Sequence, residues 1–249
     1  MKKIFYLCLT TAILITSCEK TPEANFFTDT IEPVVGHEVY FTNNSHNAKQ
    51  FDWDFGDGFG SSEENPVHIF TGTGTFEVTL TVTSKNGLTD QASLTLEVLI
   101  PTLLEIEVRE WYDEYTVGGA SVYLFTSITD WDAAVNEIAQ GFTDANGLVV
   151  FSGLDPFVYY VDVWEQNHDN YTLRNEDVGF IRTPEILPNH INRFVAWVDY
   201  VEHGKGAGRE ERKAVIKKLE RKPESRMLRT VDDDTSGWEE LYNRSIKIK

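Results

Sequence analysis

The chain has 249 residues, 41% of them hydrophobic and 25% charged, with a formal net charge of −18; this length and composition suit packed cores in two domains of ordinary size. The charge is uneven: residues 19–204 hold 7 Lys and Arg against 31 Asp and Glu, a net of −24, and residues 205–249 hold 13 against 9, a net of +4. Such a body repels nucleic acid and anionic lipid surfaces, and its acidity serves either solubility or the attraction of cations or a basic partner.

Lys2 and Lys3 precede an apolar run from Ile4 to Ile15. The run is shorter than the ~20 residues that span a bilayer, so it reads as a targeting signal over residues 1–17. It ends in Ile15-Thr16-Ser17-Cys18, which resembles a bacterial lipobox. The resemblance implies lipidation of Cys18 with thioether-linked diacylglycerol and an N-acyl chain. Each buried methylene contributes about 0.8 kcal/mol, so several chains anchor durably where one does not. With Cys8 removed and Cys18 lipidated, the mature chain has no disulfide and no thiolate metal site. Residues 18–23 then form a lipidated cysteine and polar tether. Glu19 follows the cysteine, and resemblance to lipoprotein sorting signals implies the outer membrane, on either its surface or its periplasmic face.

Residues 24–98 alternate with period two. Phe51, Trp53 and Phe55 share one strand face while Asp52 and Asp54 take the other. Gly56, Asp57 and Gly58 break that strand, with Asp54 and Asp57 expected to accept backbone N–H groups at the turn. Phe76, Val78, Leu80 and Val82 alternate with polar residues, Lys85-Asn86-Gly87 signals a hairpin, and Ala92, Leu94, Leu96 and Val98 close the set. Phe51-Asp52-Trp53-Asp54-Phe55-Gly56-Asp57-Gly58, Asn65-Pro66 and Gly74 to Val82 together resemble the PKD (polycystic kidney disease) domain, an immunoglobulin-like β-sandwich. Phe70 and Phe76 stand where that family commonly has tyrosine. Trp53 is expected in the core rather than on a ligand platform.

Ile100-Pro101-Thr102 marks a boundary, because proline cannot donate to a ladder. In residues 103–201, Leu104, Ile106 and Val108 alternate with charged residues, and Gly118-Gly119 turns the chain into Ala120 to Phe125. Residues 130–140 read as a helix capped by Asp130 or Thr129, with Trp131, Ala134, Val135 and Ile138 on one face. The segments Gly119 to Val122, Thr143 to Phe151 and Gly153 to Val161 resemble transthyretin-like or Cna-B-like sandwiches, including carboxypeptidase regulatory-like domains. The helical insert and residues 165–192 depart from that pattern. Cna-B domains form Lys–Asn isopeptide bonds, but residues 103–192 contain no Lys, so none is expected. The fold class is therefore all-β: two tandem immunoglobulin-like sandwiches with a lipoprotein signal and a partly helical basic tail.

No H-E-x-x-H, G-x-S-x-G or phosphate-cradling glycine loop occurs. His37, His46, His68, His168, His190 and His203 are scattered and form no metal-ligand spacing. The chain reads as non-enzymatic, with no metal site assigned. Residues 165–192 are the candidate binding region: Trp164, His168, Asp169, Tyr171, Glu176 and Asp177 are its candidate residues. This segment is a solvated loop, a weak Ca²⁺ site built from hard oxygen ligands, or a sugar contact through Tyr171 or Trp164.

The tail, 202–249, carries Arg209, Arg212, Lys213, Lys217, Lys218 and Arg221 around Val215, Ile216 and Leu219, a short basic helix ended by Pro223. Ser236-Gly237-Trp238-Glu239 resembles a capping box, with Trp238, Leu241 and Tyr242 on one face. The tail is loosely folded, docked on the acidic body, or an arm for a partner or membrane surface. The overall expectation is an envelope lipoprotein that binds a protein or carbohydrate ligand. The alternative is a structural accessory of an outer-membrane complex docked through residues 205–249.

Overall fold

A computed structural model describes residues 20–171, 173–175, 177–200, 229–232 and 235–248. Cys18, Glu176 and the basic helix expected at 207–221 lie outside the described residues. The described residues are mostly strand, and they divide into two compact units. The first comprises the chain up to Pro33, His37–Phe70 and Gly74–Glu97; the second comprises Val34–Gly36, Thr71–Thr73 and the chain from Val98 onward.

The first unit is two antiparallel sheets. One orders β1 (Phe26–Thr28), β2 (Glu38–Asn43) and β5 (Val67–Ile69); the other orders β4 (Gly60–Ser61), β3 (Gln50–Asp54), β6 (Gly74–Thr83) and β7 (Thr89–Val98) as β4-β3-β6-β7. Alternation decides the core. Val39 and Phe41 point in from β2, and Trp53 sits opposite Leu80. Trp53, Phe55, Phe70, Val78, Val82 and Leu96 complete the buried set. The Trp53 indole also donates to the Glu63 carbonyl at 2.8 Å, so its polar atom is satisfied inside an apolar layer. The hairpin turns at Gly87, whose φ of +85° is cheap only for glycine.

The second unit carries β8 (Leu103–Glu110), β9 (Ser121–Phe125), β10 (Ala139–Phe142), β11 (Leu148–Ser152), β12 (Tyr160–Glu165), β13 (His168–Asp169), β14 (Ile191–Tyr200), β15 (Arg229–Asp232) and β16 (Ile246–Lys247). The path is β10-β9-β12-β13-β14-β8-β11-β16, with β15 pairing the Ile191 to Phe194 end of β14. The main core lies between two layers. Ile106, Val108, Val149, Phe151, Phe194 and Ala196 face Val122, Leu124, Ala139, Val161 and Val163. Strands β8 and β14 run parallel, so their pairing joins segments about 90 residues apart in the chain.

Three expectations are corrected here. The helix expected over 130–140 is α1 (Ile128–Ala133), capped by Ser127, whose hydroxyl accepts from the Asp130 amide at 3.1 Å. It stops at Ala134, which adopts a left-handed φ of +52°. Only Trp131 of the expected apolar face is buried; Val135 and Ile138 are exposed. The chain then becomes β10, because Ala139 to Phe142 pair with β9. The helix expected to be capped at Ser236 starts one residue later. The helix α2 (Trp238–Arg244) has Gly237 at its N-cap and no side-chain cap bond.

The third correction concerns 165–192, which is not a solvated loop. Leu173 and Phe180 pack with Trp111 and Trp197, and Tyr171 and Ile181 pack with Phe125 and Trp131. The segment covers two faces that the sheets would otherwise leave wet. Its polar residues satisfy the backbone on the way. Asn170 accepts from the Val163 amide at 2.9 Å and donates to the Val161 carbonyl at 2.7 Å.

Candidate functional site

The Gly-Asp turn behaves as expected and does more. Asp54 Oδ1 accepts from the Gly56 amide at 2.9 Å, and Asp57 Oδ1 from the Phe59 amide at 3.1 Å. The other Asp57 oxygen lies 2.7 Å from His68 Nε2. The His68 ring in turn stacks on Phe55, with centroids 4.0 Å apart and planes within 4°. The turn is thus tied to β5 by an ion-pair geometry that spacing does not reveal.

The residues expected to bind are mostly committed to folding. Tyr171 is 5% exposed and stacks on Trp131 at 5.4 Å, with the Arg174 guanidinium 4.9 Å over its ring. Arg174 also pairs with Asp132. Asp169 is fully buried and accepts from the Tyr171 amide at 3.1 Å. Asp177 caps a 3₁₀ turn, accepting from the Gly179 amide at 2.6 Å. Trp164 is half-buried within β12, and Glu176 lies outside the described residues. Sugar contact through Tyr171 is therefore closed off, because its ring is buried against Trp131 and Arg174. Among the described residues, no three His, Cys, Asp or Glu side chains come together as a metal ion requires. Asp169 Oδ1, Asn170 Oδ1 and Asp177 Oδ1 each accept from a backbone amide.

His168 does join a polar chain that sequence reasoning missed. Its Nδ1 lies 2.8 Å from Glu165 Oε2, and its Nε2 lies 2.7 Å from the Tyr115 hydroxyl. Tyr115 and Tyr200 meet the imidazole edge-on. Burial raises the Glu165 carboxyl, but hydrogen bonds from His168 and the Asn167 amide outweigh it, so the group lies below its ordinary value. Burial first, then the Glu110 and Asp113 charges, push the Tyr115 phenol up. This carboxylate–imidazole–phenol chain fastens the Tyr115 turn to β13.

The bare surface lies elsewhere, on the outer face of β1-β2-β5. Register places Phe27 beside Thr42, Tyr40 beside Val67 and Glu38 beside Ile69. Phe27 is 56% exposed, Tyr40 50%, Val67 47% and Ile69 44%. The Tyr40 hydroxyl donates to Glu38 Oε2 at 2.5 Å, which raises the phenol pKa and fixes the ring beside a carboxylate. The alternation Glu38-Val39-Tyr40-Phe41-Thr42 already assigns Tyr40 to the face opposite the core. The strand partner Val67 is what turns a lone tyrosine into a patch. Four adjoining large apolar side chains rimmed by acid are the composition of an interaction surface rather than of scattered exposure.

The described end of the tail is not an arm. Trp238, Leu241 and Tyr242 of α2 cover Ile100, Leu103, Val150 and Ile191 on the outer side of the β8 layer. Arg244 reaches Glu105 at 3.2 Å and Asp144 at 3.3 Å. Ile246 and Ile248 enter the main core beside β11.

The PKD domain family matches residues 19–99. Within it, 58 residues are 40% identical to the collagenase ColA of Clostridium perfringens, a match that covers 23% of this chain and 5% of that enzyme. The PKD1 domain of Vibrio anguillarum Epp is 36% identical, covering 33% of this chain and 98% of that domain, with a TM-score of 0.30. The PKD1 domain of the Vibrio cholerae metalloprotease PrtV is 32% identical over 32% of this chain and 98% of that domain, with a TM-score of 0.28.

Proposed function

We propose, from a PKD domain over residues 19–99 followed by a second sandwich, that this chain is a non-catalytic, lipid-anchored envelope protein whose first unit binds an extracellular protein or carbohydrate. The observation that carries the reading is the bare β1-β2-β5 face with Phe27, Tyr40, Val67 and Ile69. Apolar side chains left in water at this density cost solubility and are retained where a partner covers them. The lipobox ending at Cys18 and Glu19 after it support anchoring at the outer membrane. The two-layer core of the second unit, with its Gly119 turn and the turn at Gly147 that carries the chain from β10 to β11 in the other layer, supports a sandwich of transthyretin or Cna-B type.

Two measurements test the reading. Retention is measured on immobilised collagen, prompted by the collagenase similarity, and on a panel of insoluble polysaccharides. The expected result is saturable binding on at least one support, weakened about tenfold or more, ~1.4 kcal/mol, by F27A/Y40A. Equal retention of variant and native chain removes the face from the function, and no retention on any support removes these ligand classes. Protease shaving of intact cells carrying a C-terminally tagged chain tests location. Loss of the tag with a periplasmic control intact places the units outside; protection until lysis favours an envelope partner.

A further inference from the structure

The polar chain through His168 has a direction. The Glu165 carboxyl lies below its ordinary value, so near neutral pH it is ionised and can only accept. The hydrogen of the 2.8 Å bond between them therefore sits on His168 Nδ1. In a neutral imidazole that leaves Nε2 as the acceptor, so the Tyr115 hydroxyl donates to it across 2.7 Å. Tyr115 thus holds its proton against a nitrogen base whose far side is fixed by a carboxylate, the arrangement that orients a general base. The fold holds all three groups. Glu165 of β12 and His168 of β13 are register partners, and Tyr200 of β14 is the register partner of His168 on the other side. The Tyr115 turn is closed by the Glu110 amide, which donates to the Tyr115 carbonyl at 2.9 Å, and the Glu110 carboxylate accepts from the Tyr112 and Asp113 amides. His168 is 9% exposed and Tyr115 46%, so the base is shielded from water while the phenol is open to a reagent.

The surroundings favour one way of losing that proton. Burial first, then the charges of Glu110, Asp113 and Glu165 and the Tyr200 phenol, push the Tyr115 phenol up. The same acidic field opposes a phenolate and favours a cation on the neighbouring imidazole. Simple ionisation of Tyr115 is therefore disfavoured, whereas a shift of its proton to His168 is assisted once an electron has to leave the ring. Tyr40 is a comparison within the same chain. It is 50% exposed, and its hydroxyl donates to the Glu38 carboxylate. An imidazole binds a proton about a hundredfold more tightly than a carboxylate does in water. The two phenols thus share access to solvent and differ in the base that receives the proton.

We propose that Tyr115 is a site of one-electron oxidation, in which the phenol gives its electron to an oxidant of the class that peroxidases and high-valent metal complexes supply, and its proton to His168 Nε2. The O–H bond breaks and the N–H bond forms as one electron passes to the oxidant, which is reduced by one. A neutral phenoxyl radical and an imidazolium remain, and the charge of the imidazolium is balanced by Glu165 at 2.8 Å. Return of an electron from a reductant carries the proton back to the phenol oxygen. His168 is the proton acceptor, and Glu165 is a positioning residue that acts through it. This site lies in the second unit and is independent of ligand binding by the first.

The test mixes the full-length chain with less than one equivalent of hexachloroiridate(IV) and a nitroso spin trap, which marks the residue that carries the radical. Samples are quenched after set times and digested for mass mapping. Tyr115 should be marked about tenfold or more ahead of Tyr40, and more slowly in D₂O than in H₂O, because its proton moves with the electron. His168→Gln keeps a hydrogen-bonding side chain but not the base. It should slow marking of Tyr115 about tenfold or more and leave that of Tyr40 unchanged. Glu165→Gln keeps a partner for Nδ1 without the charge, and its rate should fall between the two. Marking of Tyr115 no faster than Tyr40, or first marking elsewhere in the chain, overturns the proposal. An unchanged Tyr115 rate in His168→Gln, or in D₂O, overturns it as well, because the phenol then reacts without its base. The Tyr115-to-Tyr40 ratio and the D₂O effect are read on the native chain, so a variant that fails to fold leaves the test intact.

Discussion

The two units treat the outer faces of their sheets in opposite ways. The first leaves β1-β2-β5 bare, with Phe27 and Tyr40 half in water. The second covers its outer faces twice, once with the 171–181 segment over Trp111, Trp131 and Trp197, and once with α2 over Leu103, Val150 and Ile191. The difference teaches that exposed apolar area here is not a by-product of sandwich architecture. Among the described residues, non-sheet segments cover a face in the second unit and not in the first. In the second unit, long-range cover raises the number of residues needed to complete a core. In the first, a core of Trp53, Phe41 and Phe55 is complete without cover, and the outer face is free for another molecule.

Four variants break or sharpen this contrast. The largest effect is expected from Phe180→Ala, which removes a side chain 1% exposed from the cover over Trp111. A loss of about 3–5 kcal/mol is expected in chemical denaturation of the second unit. A loss below ~0.5 kcal/mol would return the segment to the status of a surface loop. Next, Asp57→Ala strands His68 in a half-buried site and frees the Phe59 amide. The expected cost is about 1–3 kcal/mol in the unfolding of the first unit.

Third comes Tyr159→Phe. Tyr159 is buried and donates to the Asp155 carbonyl at 2.8 Å, so the substitution should cost about 0.5–1.5 kcal/mol near neutral pH. Burial and the Asp155 charge push the phenol from 10.0 up to about 12. The folded state keeps this proton where the unfolded chain loses it. The contribution is therefore fully present below pH 10 and is lost as pH rises through about 12. Phenylalanine should abolish that part of the alkaline fall, as read by denaturation at stepped pH; an unchanged fall would assign it to other groups. The smallest effect is expected from F27A/Y40A, which should leave first-unit stability within ~0.5 kcal/mol. A larger loss would mean that the bare face supports the fold rather than a ligand.

Strand alternation made much of the first unit legible. Period two placed Trp53 and Leu80 inward, and the Asp-Gly turn chemistry named Asp54 and Asp57 as acceptors, because each depends on residues close in sequence. The cover segment was illegible for the opposite reason. Leu173, Phe180 and Ile181 follow neither period two nor period 3.6, and their partners Trp111, Phe125 and Trp197 lie far along the chain. Polar residues such as Asp169, Asn170 and Asp177 then read as a wet loop, although each one satisfies backbone amides beneath the cover. The 130–140 helix failed at Ala134, where pairing of Ala139 to Phe142 with β9 ends a pattern that helical spacing extends. Tyr115, 53 residues from His168, gave no local sign of the hydrogen bond between them. The parallel pairing of Ile246 with Phe151 spans nearly a hundred residues and involves a two-residue strand, too short for any periodicity to mark.

The late position of β16 also sets a clock on biosynthesis. When Tyr200 of β14 has been made, 48 residues remain before Ile248. At ~5–20 residues per second this interval lasts about 2–10 s. Throughout it the edge of β11 that pairs with β16, where Gly141 of β10 leaves room for the Ile246 side chain, has no strand to fill it, whereas every strand of the first unit has already been synthesised. A nascent second unit is therefore the species that chaperones, or a neighbouring nascent chain, would meet.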